Sequence, residues 1–244
     1  MSKREQAYEY IRGRILDATL SAGSTTSERE IETLAEREGI SMSRTPIREA
    51  LAVLAATGLI EQLPQVGARV RRINAAEALQ TFRLRSGMEA VMVDELASHE
   101  HPDLEAAEAA VERMSHAGSD DPLAFQLADT EFHVALALAA GFFSARTSLE
   151  GLRDRIHLYR LGAGLEQTTS DVVLDEHRAL LKRITEHDRD GAVEALNRHL
   201  AESATRIVPG LDSGGVLSKT PIALAEQEAV VAAARAPVAL GASS

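Results

Sequence analysis

The pattern of apolar and polar positions predicts three helices in the first part of the chain. The first lies within residues 4–20, where apolar side chains recur every three or four positions. The second begins at Ser27, whose hydroxyl is followed three residues later by Glu30, the spacing of a capping box. The third begins at Arg44 and ends before Gly58.

Two short extended segments follow the third helix and predict a β-hairpin. Their sequences are LIEQL and ARVRRI, and the turn-forming sequence PQVG at residues 64–67 lies between them. Three helices followed by a hairpin predict a winged helix-turn-helix, so we expect a domain of this kind at residues 1–73. The hairpin would form the wing, with Arg69 and its neighbours beside it.

From residue 74 onward the apolar pattern is helical throughout, and the chain is therefore predicted to be mainly α. Turn and cap residues divide this part into six helices. They lie at roughly 75–99, 103–117, 121–141, 143–161, 171–187 and 190–208. Six helices of this length can bury a core as a bundle, which we place at residues 74–208. Residues 209–244, rich in Gly, Ser, Ala and Pro, predict a flexible tail with a loose helix around 222–235.

Composition narrows the class of protein. The 244 residues contain no cysteine, which excludes a disulfide framework and a thiolate metal site. The charged N-terminus lacks the apolar segment of a signal peptide, and no uncharged apolar run is long enough to cross a membrane. We therefore expect a cytoplasmic protein with no membrane partner.

The net charge of −11 is unevenly distributed. Residues 1–72 carry 11 basic and 10 acidic side chains, whereas the remaining residues carry 15 and 27. Within residues 41–72 five arginines face two glutamates. The first domain can therefore present a local basic surface for nucleic acid although the chain as a whole is acidic.

The third predicted helix carries the candidate DNA-binding chemistry. Its apolar positions face inward, which leaves Arg44, Thr45, Arg48 and Glu49 outward on the first turns, at the positive end of the helix dipole. These groups suit phosphates and base edges in a major groove. The alternative is an ordinary amphipathic surface helix.

Four residues of the bundle form a candidate metal site. Asp129 and His133 are four residues apart on one helix face, while His177 and His199 lie on or beside the inward stripes of two later helices. One carboxylate and three imidazoles suit zinc, and manganese, nickel or iron is also compatible. The alternative is a set of hydrogen-bonded core residues. The other histidines are expected to be solvated: His99, His101, His116, His157 and His187.

The first 73 residues resemble the N-terminal half of GntR-type bacterial transcription regulators. The resemblance is carried by SEREIETLAEREGI, SRTPIREALAVLAATGLIE and GARVRRI. It implies that double-stranded operator DNA is contacted by Arg29, Ser43, Arg44, Thr45 and Arg48. It also implies that Gly67 of the wing enters the minor groove.

The second part resembles the FCD effector-binding domain of the FadR branch of these regulators. The matching segments are LRSGMEA, DTEFHVALALAAG and DEHRALLKRITEHDRDGAVEALNRHL. The resemblance implies that Asp129 and the three histidines bind a divalent metal ion. It also implies that Arg85 points into the bundle, where a guanidinium suits a carboxylate effector. The alternative for Arg85 is a salt bridge with Glu89.

Together these features favour a dimeric, ligand-responsive transcription regulator, in most such cases a repressor, that senses a small organic acid. A metal-dependent enzyme is the second hypothesis, but no glutamate accompanies the histidines in the manner of HExxH. In a third hypothesis the metal only braces the bundle. Arg83, Arg153 and Arg155 are expected to be surface charges.

Overall fold

The computed structural model describes residues 1–118, 120–164 and 171–208 of the chain. Over these residues the protein is mainly helical, with a small sheet confined to the N-terminal part, as predicted. The predicted tail at 209–244, with its helix around 222–235, lies outside the described residues. Both expectations for the tail therefore stay predictions.

The N-terminal part consists of three helices and three short strands. In chain order they are α1 (Lys3–Leu16), β1 (Thr25–Thr26), α2 (Glu28–Arg37), α3 (Arg44–Ala56), β2 (Ile60–Leu63) and β3 (Gly67–Val70). The predicted capping box of α2 is confirmed. The backbone N–H of Glu30 donates to Ser27 Oγ at 3.2 Å, and the Ser27 N–H donates to the Glu30 carboxylate at 2.7 Å.

The strands form an antiparallel sheet in the order β1-β3-β2. The predicted hairpin pairs Ile60 with Val70 and Leu63 with Gly67. Strand β1 was not predicted, because two threonines are too short a run to show an alternating pattern. Gly67 has a φ of +129°, and a Cβ there would collide with the carbonyl oxygen of Thr26. The close packing of β1 against β3 therefore explains why a residue without a side chain occupies position 67.

The described part of the chain beyond residue 74 contains six α-helices, within a few residues of their predicted bounds. They are α4 (Ala75–Ser98), α5 (Glu105–Ala117), α6 (Pro122–Ala139), α7 (Arg146–Gly162), α8 (Asp171–Thr185) and α9 (Arg189–Ile207). A short 3-10 helix at Phe143–Ala145 precedes α7. Side chains of Asn74, Asp121 and Asp188 cap α4, α6 and α9. None of the described helices is long and apolar enough to cross a bilayer.

The apolar core of the N-terminal helices continues into the bundle. Phe82 of α4, Ile156 and Leu158 of α7, and Ala204 of α9 belong to the same buried cluster as the core of α1 and α3. The rest of the bundle has a separate core, formed mainly by α4, α5, α6, α8 and α9. Helix α7 therefore lies between the winged domain and the bundle.

Close contacts hold α7 against the winged domain. The guanidinium of Arg12 in α1 donates two hydrogen bonds to the Asp154 carboxylate, at 2.6 and 2.7 Å, and both side chains are buried. A Cβ on Gly151 would lie 2.7 Å from the Cβ of Thr57, the C-cap residue of α3. The absent side chain of Gly151 thus allows α7 to approach the end of α3.

The expectation that His157 is solvated was wrong. Its side chain is buried, with 7% of the residue exposed, and its Nε2 lies 2.9 Å from the carbonyl oxygen of Leu16 at the end of α1. The periodicity of α7 identifies an inward face toward the bundle but not the second partner on its other side. The contact with α1 buries a residue that the sequence places on a polar face.

Candidate metal centre and DNA-binding surface

Helices α6, α8 and α9 bring the four predicted metal ligands together. One donor atom from each of Asp129, His133, His177 and His199 lies within 4.8 Å of the others. The three imidazoles are buried and the carboxylate is partly exposed. Asp129 Oδ1 lies 3.3 Å from His177 Nε2 and 3.7 Å from His133 Nε2. The four residues could therefore surround a single cation.

Several of these donor atoms have no hydrogen-bond partner although they are buried. They are Asp129 Oδ1, His133 Nε2, and both ring nitrogens of His177. Burying a polar atom without a partner costs free energy, so native proteins pair nearly all such atoms. A cation bound by these atoms would supply the missing interactions. The nitrogen-rich donor set, with one carboxylate, fits zinc and also suits other divalent transition metals.

Two carboxylates orient the imidazoles from outside the cluster. Glu89 of α4 accepts a hydrogen bond from His133 Nδ1, and Glu176 of α8 accepts one from His199 Nδ1 at 2.7 Å. Donation from Nδ1 leaves Nε2 of each neutral ring with a lone pair that can bind a cation. This carboxylate-histidine arrangement is typical of the surroundings of metal-bound imidazoles, where it fixes the ring and raises its basicity.

The protonation states also suit a cation. Burial, reinforced by the neighbouring imidazoles and arginines, lowers the pKa of His177 and of His199 well below the ordinary histidine value. Although burial alone raises the pKa of Glu89, the charge of Arg85 and the hydrogen bond from His133 outweigh it and lower that pKa. At neutral pH the site thus offers neutral imidazoles and an ionised outer carboxylate, as metal binding requires.

Arg85, the predicted effector-binding residue, is buried beside the cluster. Its Nε donates to Glu89 at 2.8 Å, which is the salt bridge that the sequence offered as the alternative. The bridge does not use the whole guanidinium, because Nη2 is buried and has no partner. Glu89 therefore fixes the position of Arg85 while Nη2 remains without a hydrogen-bond partner.

The expectation that Arg153 is a surface charge was wrong, whereas Arg83 is exposed as expected and Arg155 is half-buried. Only 2% of Arg153 is exposed. Its Nη2 donates to Asp129 Oδ2 and its Nε donates to Thr130 Oγ1 at 3.1 Å. The contacts follow from the packing of α7 against α6, which helical periodicity alone does not show.

Sequence reasoning thus missed three residues around the cluster, namely Glu89 as a partner of His133, Glu176 and Arg153. The spacing of four between Arg85 and Glu89 identified their ion pair but not the contact to another helix. Glu176 immediately precedes His177, yet it turns toward α9 and also pairs with Arg206 at 2.9 Å. No local signal distinguishes Arg153 from an ordinary helical arginine.

A surface groove gathers four of the six predicted DNA-binding residues. Arg29 of α2, Arg44 and Arg48 of α3, and Gly67 at the wing line the same groove. Ser43 and Thr45 are exposed next to it, at the start of α3. Ser43 occupies the N-cap position of α3 with an extended backbone, but its side chain makes no capping hydrogen bond. Its hydroxyl is therefore not used by the helix.

Ion pairs to α2 hold the two arginines of α3. Arg48 donates two hydrogen bonds to Glu28, at 2.7 and 2.8 Å, and Arg44 donates one to Glu32 at 3.0 Å. Both arginine side chains are more than half exposed. Exposed ion pairs of this kind contribute roughly 0–1 kcal/mol, so an incoming phosphate can replace the carboxylates at little cost.

A winged helix-turn-helix joined to a helical bundle with a histidine cluster defines a regulator of transcription that carries a second, all-helical domain. Family models agree: residues 3–70 match the bacterial regulatory proteins of the gntR family, and residues 80–202 match the FCD domain. The chain belongs to the GntR family of transcriptional regulators that carry an FCD domain, a family of regulators and not of enzymes.

Relatives support the same class. The chain is 29% identical over 201 residues to the "Probable D-xylose utilization operon transcriptional repressor" of Paenarthrobacter nicotinovorans, covering 80% of this chain and 84% of that one. It is 27% identical over 202 residues to the "Gluconate operon transcriptional repressor" of Bacillus licheniformis, covering 78% of each. Among solved structures, E. coli McbR/YncC shares the fold with a TM-score of 0.71 at 19% identity, covering 86% of this chain and 99% of that one.

Proposed function

We propose that the protein is a ligand-responsive repressor of a metabolic operon, in the FadR subfamily, that binds operator DNA as a homodimer and senses a small organic acid at a metal site. The observation that carries the sensory part is the convergence of Asp129, His133, His177 and His199. Buried donor atoms of the first three of these residues have no hydrogen-bond partner. If these were ordinary polar residues of the core, their buried polar atoms would form hydrogen bonds within the protein.

The metal would be bound by these four residues, and it would supply a Lewis-acid position for a carboxylate oxygen of the effector. Zinc fits the donor set best, with manganese, nickel or iron as alternatives. Arg85 would bind the same effector, because it lines a cavity that Asp129 and His199 also line and its buried Nη2 has no partner. Guanidinium and carboxylate geometries match, so this pairing adds selectivity for acids.

The groove between α3 and the wing supports operator binding. It places Arg44 and Arg48 at the positive end of the α3 dipole, with Arg29 beside them. In helix-turn-helix regulators the N-terminal residues of such a helix read base edges, and dimers read two half-sites one helical turn apart. The homodimer is proposed on this binding mode.

Helix α7 offers a route from the effector site to the DNA-binding surface. Arg153 contacts Asp129 at the cluster, Asp154 bonds to Arg12 in α1, and Gly151 packs against Thr57 at the end of α3. A shift of α7 on effector binding would therefore move the winged domain directly. If effector and DNA each favoured a different position of α7, the two sites would be coupled allosterically through this shared helix.

The names of the relatives support a metabolic operon, since they assign those proteins to D-xylose utilization and to the gluconate operon. Both are repressors by name. We therefore propose repression that an acidic metabolite relieves.

Fluorescence anisotropy with the DNA upstream of the protein's own gene tests the DNA-binding part. At about 0.15 M salt, we expect affinity for a duplex from this region to exceed that for a scrambled duplex by at least about 1,000-fold. Equal affinity for both duplexes would overturn the proposal. Chelation tests the sensory part: loss of ligand response with the fold retained supports a sensor, whereas unfolding supports a metal that only braces the bundle.

A further inference from the structure

Two buried guanidiniums face the cavity beside the candidate metal centre, and each is only partly used by the protein. Arg85 is fixed through Nε by Glu89, and Arg153 is fixed through Nε by Thr130 and through Nη2 by Asp129. Arg85 Nη2 and Arg153 Nη1 are both buried and without a partner. Each arginine is thus held in place with one nitrogen available to donate hydrogen bonds to an anion.

Both arginines line the same cavity as two of the candidate ligands. Its lining includes Arg85, Arg153, Asp129 and His199, and its volume is about 40 Å³. In the same measure a single water needs roughly 10–15 Å³, so only a compact ligand fits without rearrangement. A ligand bound to the metal would therefore lie beside both guanidiniums.

The charges of the site require more than one negative group. The carboxylates of Asp129 and Glu89 balance the guanidiniums of Arg85 and Arg153, so a divalent cation would leave two positive charges uncompensated. Arg206 at the cavity is already paired with Glu176, and Arg160, which also lines the cavity, is itself a cation and so does not offset this positive charge. Because uncompensated charge in a buried site is costly, a dianion fits it better than a monoanion.

We propose that Arg85 and Arg153 form a paired anion site and that the effector is a compact dianion, with one carboxylate on the metal and Arg85 and a second acidic group on Arg153. This inference rests on the proposed function, since it takes the metal-bound carboxylate as given. It adds a residue, Arg153, and a ligand class. The second acidic group is what distinguishes the effector from a simple monocarboxylate.

Matched pairs of acids test the proposal by isothermal titration calorimetry on the full-length, zinc-loaded protein at pH 7.5, without DNA. Malonate is compared with propionate, and succinate with butyrate, so that each pair has the same number of carbons. Metal content is measured by mass spectrometry before and after titration to detect removal of zinc by the dicarboxylates. We expect the better dicarboxylate to bind at least about 30-fold more tightly than its partner, the effect of one charge-assisted hydrogen bond.

Variants of Arg153 test whether this residue causes the preference for dicarboxylates. In Arg153→Met we expect dicarboxylate affinity to fall about 30-fold while monocarboxylate affinity changes less than about threefold, and in Arg153→Lys we expect a partial loss. Arg83→Met, a change of an exposed arginine on α4, serves as the matched control and should leave the preference intact. A merely structural role for Arg153 would lower both affinities together and would contradict the proposal.

The preference of the wild-type protein for dicarboxylates over monocarboxylates tests the proposal even if a variant fails to fold. Equal affinity for the two members of each pair would overturn the paired anion site and leave the metal-bound monocarboxylate of the proposed function standing. Absence of binding by all four acids to the zinc-loaded protein would overturn both the effector class of the proposed function and this inference.

Discussion

Arg153 and Asp154 are consecutive residues of α7, yet their side chains bond to different parts of the molecule. Arg153 contacts Asp129 in the histidine cluster, and Asp154 accepts two hydrogen bonds from Arg12 in the winged domain. Successive helical residues point about 100° apart, so one helix can face both partners at once. A displacement of α7 at the cluster would therefore also change the position of Asp154 relative to α1.

Removal of the Asp154 carboxylate should destabilise the protein strongly. In Asp154→Asn the buried guanidinium of Arg12 loses its ionic partner, and breaking a buried pair in this way typically costs about 3 kcal/mol or more. Urea denaturation monitored by circular dichroism measures the change in unfolding free energy. The matched control is Glu131→Gln, which breaks a pair with Arg113 in which both side chains are more than half exposed.

The control should change stability by no more than about 1 kcal/mol, as exposed ion pairs do. Equal losses in Asp154→Asn and Glu131→Gln would mean that burial of the Arg12 pair contributes nothing.

Neutralising Glu176 should weaken metal binding without removing a ligand. The carboxylate of Glu176 orients His199 through Nδ1, and loss of such outer partners typically lowers metal affinity 10- to 100-fold. Competition with a chromogenic zinc chelator compares wild type with Glu176→Gln. Asp175→Asn, a change at an exposed neighbour on the same helix, is the control and should bind zinc as wild type does. An unchanged zinc affinity in Glu176→Gln would contradict the assigned role.

His157 should make stability depend on pH in the mildly acidic range. Burial lowers its pKa, and the nearby positive charges of Arg160 and Arg12 act in the same direction. The unfolded chain, with an ordinary histidine pKa of about 6.5, therefore binds a proton that the folded protein does not. This contribution is fully present above pH 6.5 and is lost as pH falls, by up to about 1.4 kcal/mol per unit.

His157→Gln keeps a donor for the carbonyl of Leu16 but cannot titrate. We expect wild type to be the more stable of the two at pH 7.5, with the difference reduced by about 1 kcal/mol at pH 5.5. Urea denaturation at both values, with a chelator present, provides the measurement. A difference that does not change with pH would show that His157 titrates alike in the folded and unfolded protein.

Arg48 should contribute to DNA affinity as a charge. In Arg48→Ala we expect weaker binding to the upstream duplex and a salt dependence whose slope falls by about one unit, the signature of one lost phosphate contact. Anisotropy titrations at several salt concentrations measure the slope. Arg178→Ala, at an exposed arginine of α8 in the bundle, should leave both affinity and slope unchanged. Identical slopes for wild type and Arg48→Ala would place Arg48 outside the DNA contact.

Local sequence signals predicted the elements well because their causes are local. The Ser27–Glu30 capping box and the stripes of the six bundle helices depend on residues three or four positions apart, and the structure confirms them. The common face of Asp129 and His133 follows from the same spacing. Their convergence with His177 and His199 depends on how α6, α8 and α9 pack, and for that the resemblance to a family was needed.

The errors share one physical cause. His157 and Arg153 lie on faces of α7 that contact α1 and α6, and periodicity within a helix does not say which polar residue will meet another element. Strand β1 forms by pairing with the edge of β3, which is distant in the sequence. The burial and contacts of residues that join two packed parts of a protein are therefore difficult to predict from a single sequence.

Metal analysis by mass spectrometry tests the central claim most directly. The protein is purified without a histidine tag or chelators, as wild type, as His177→Ala, and as His116→Ala, a control at an exposed histidine of α5. We predict about one divalent ion per chain in wild type and in the control, and its loss in His177→Ala with the helical circular dichroism spectrum retained. Absence of metal from wild type, or equal metal in all three proteins, would contradict the site and with it the metal-bound effector.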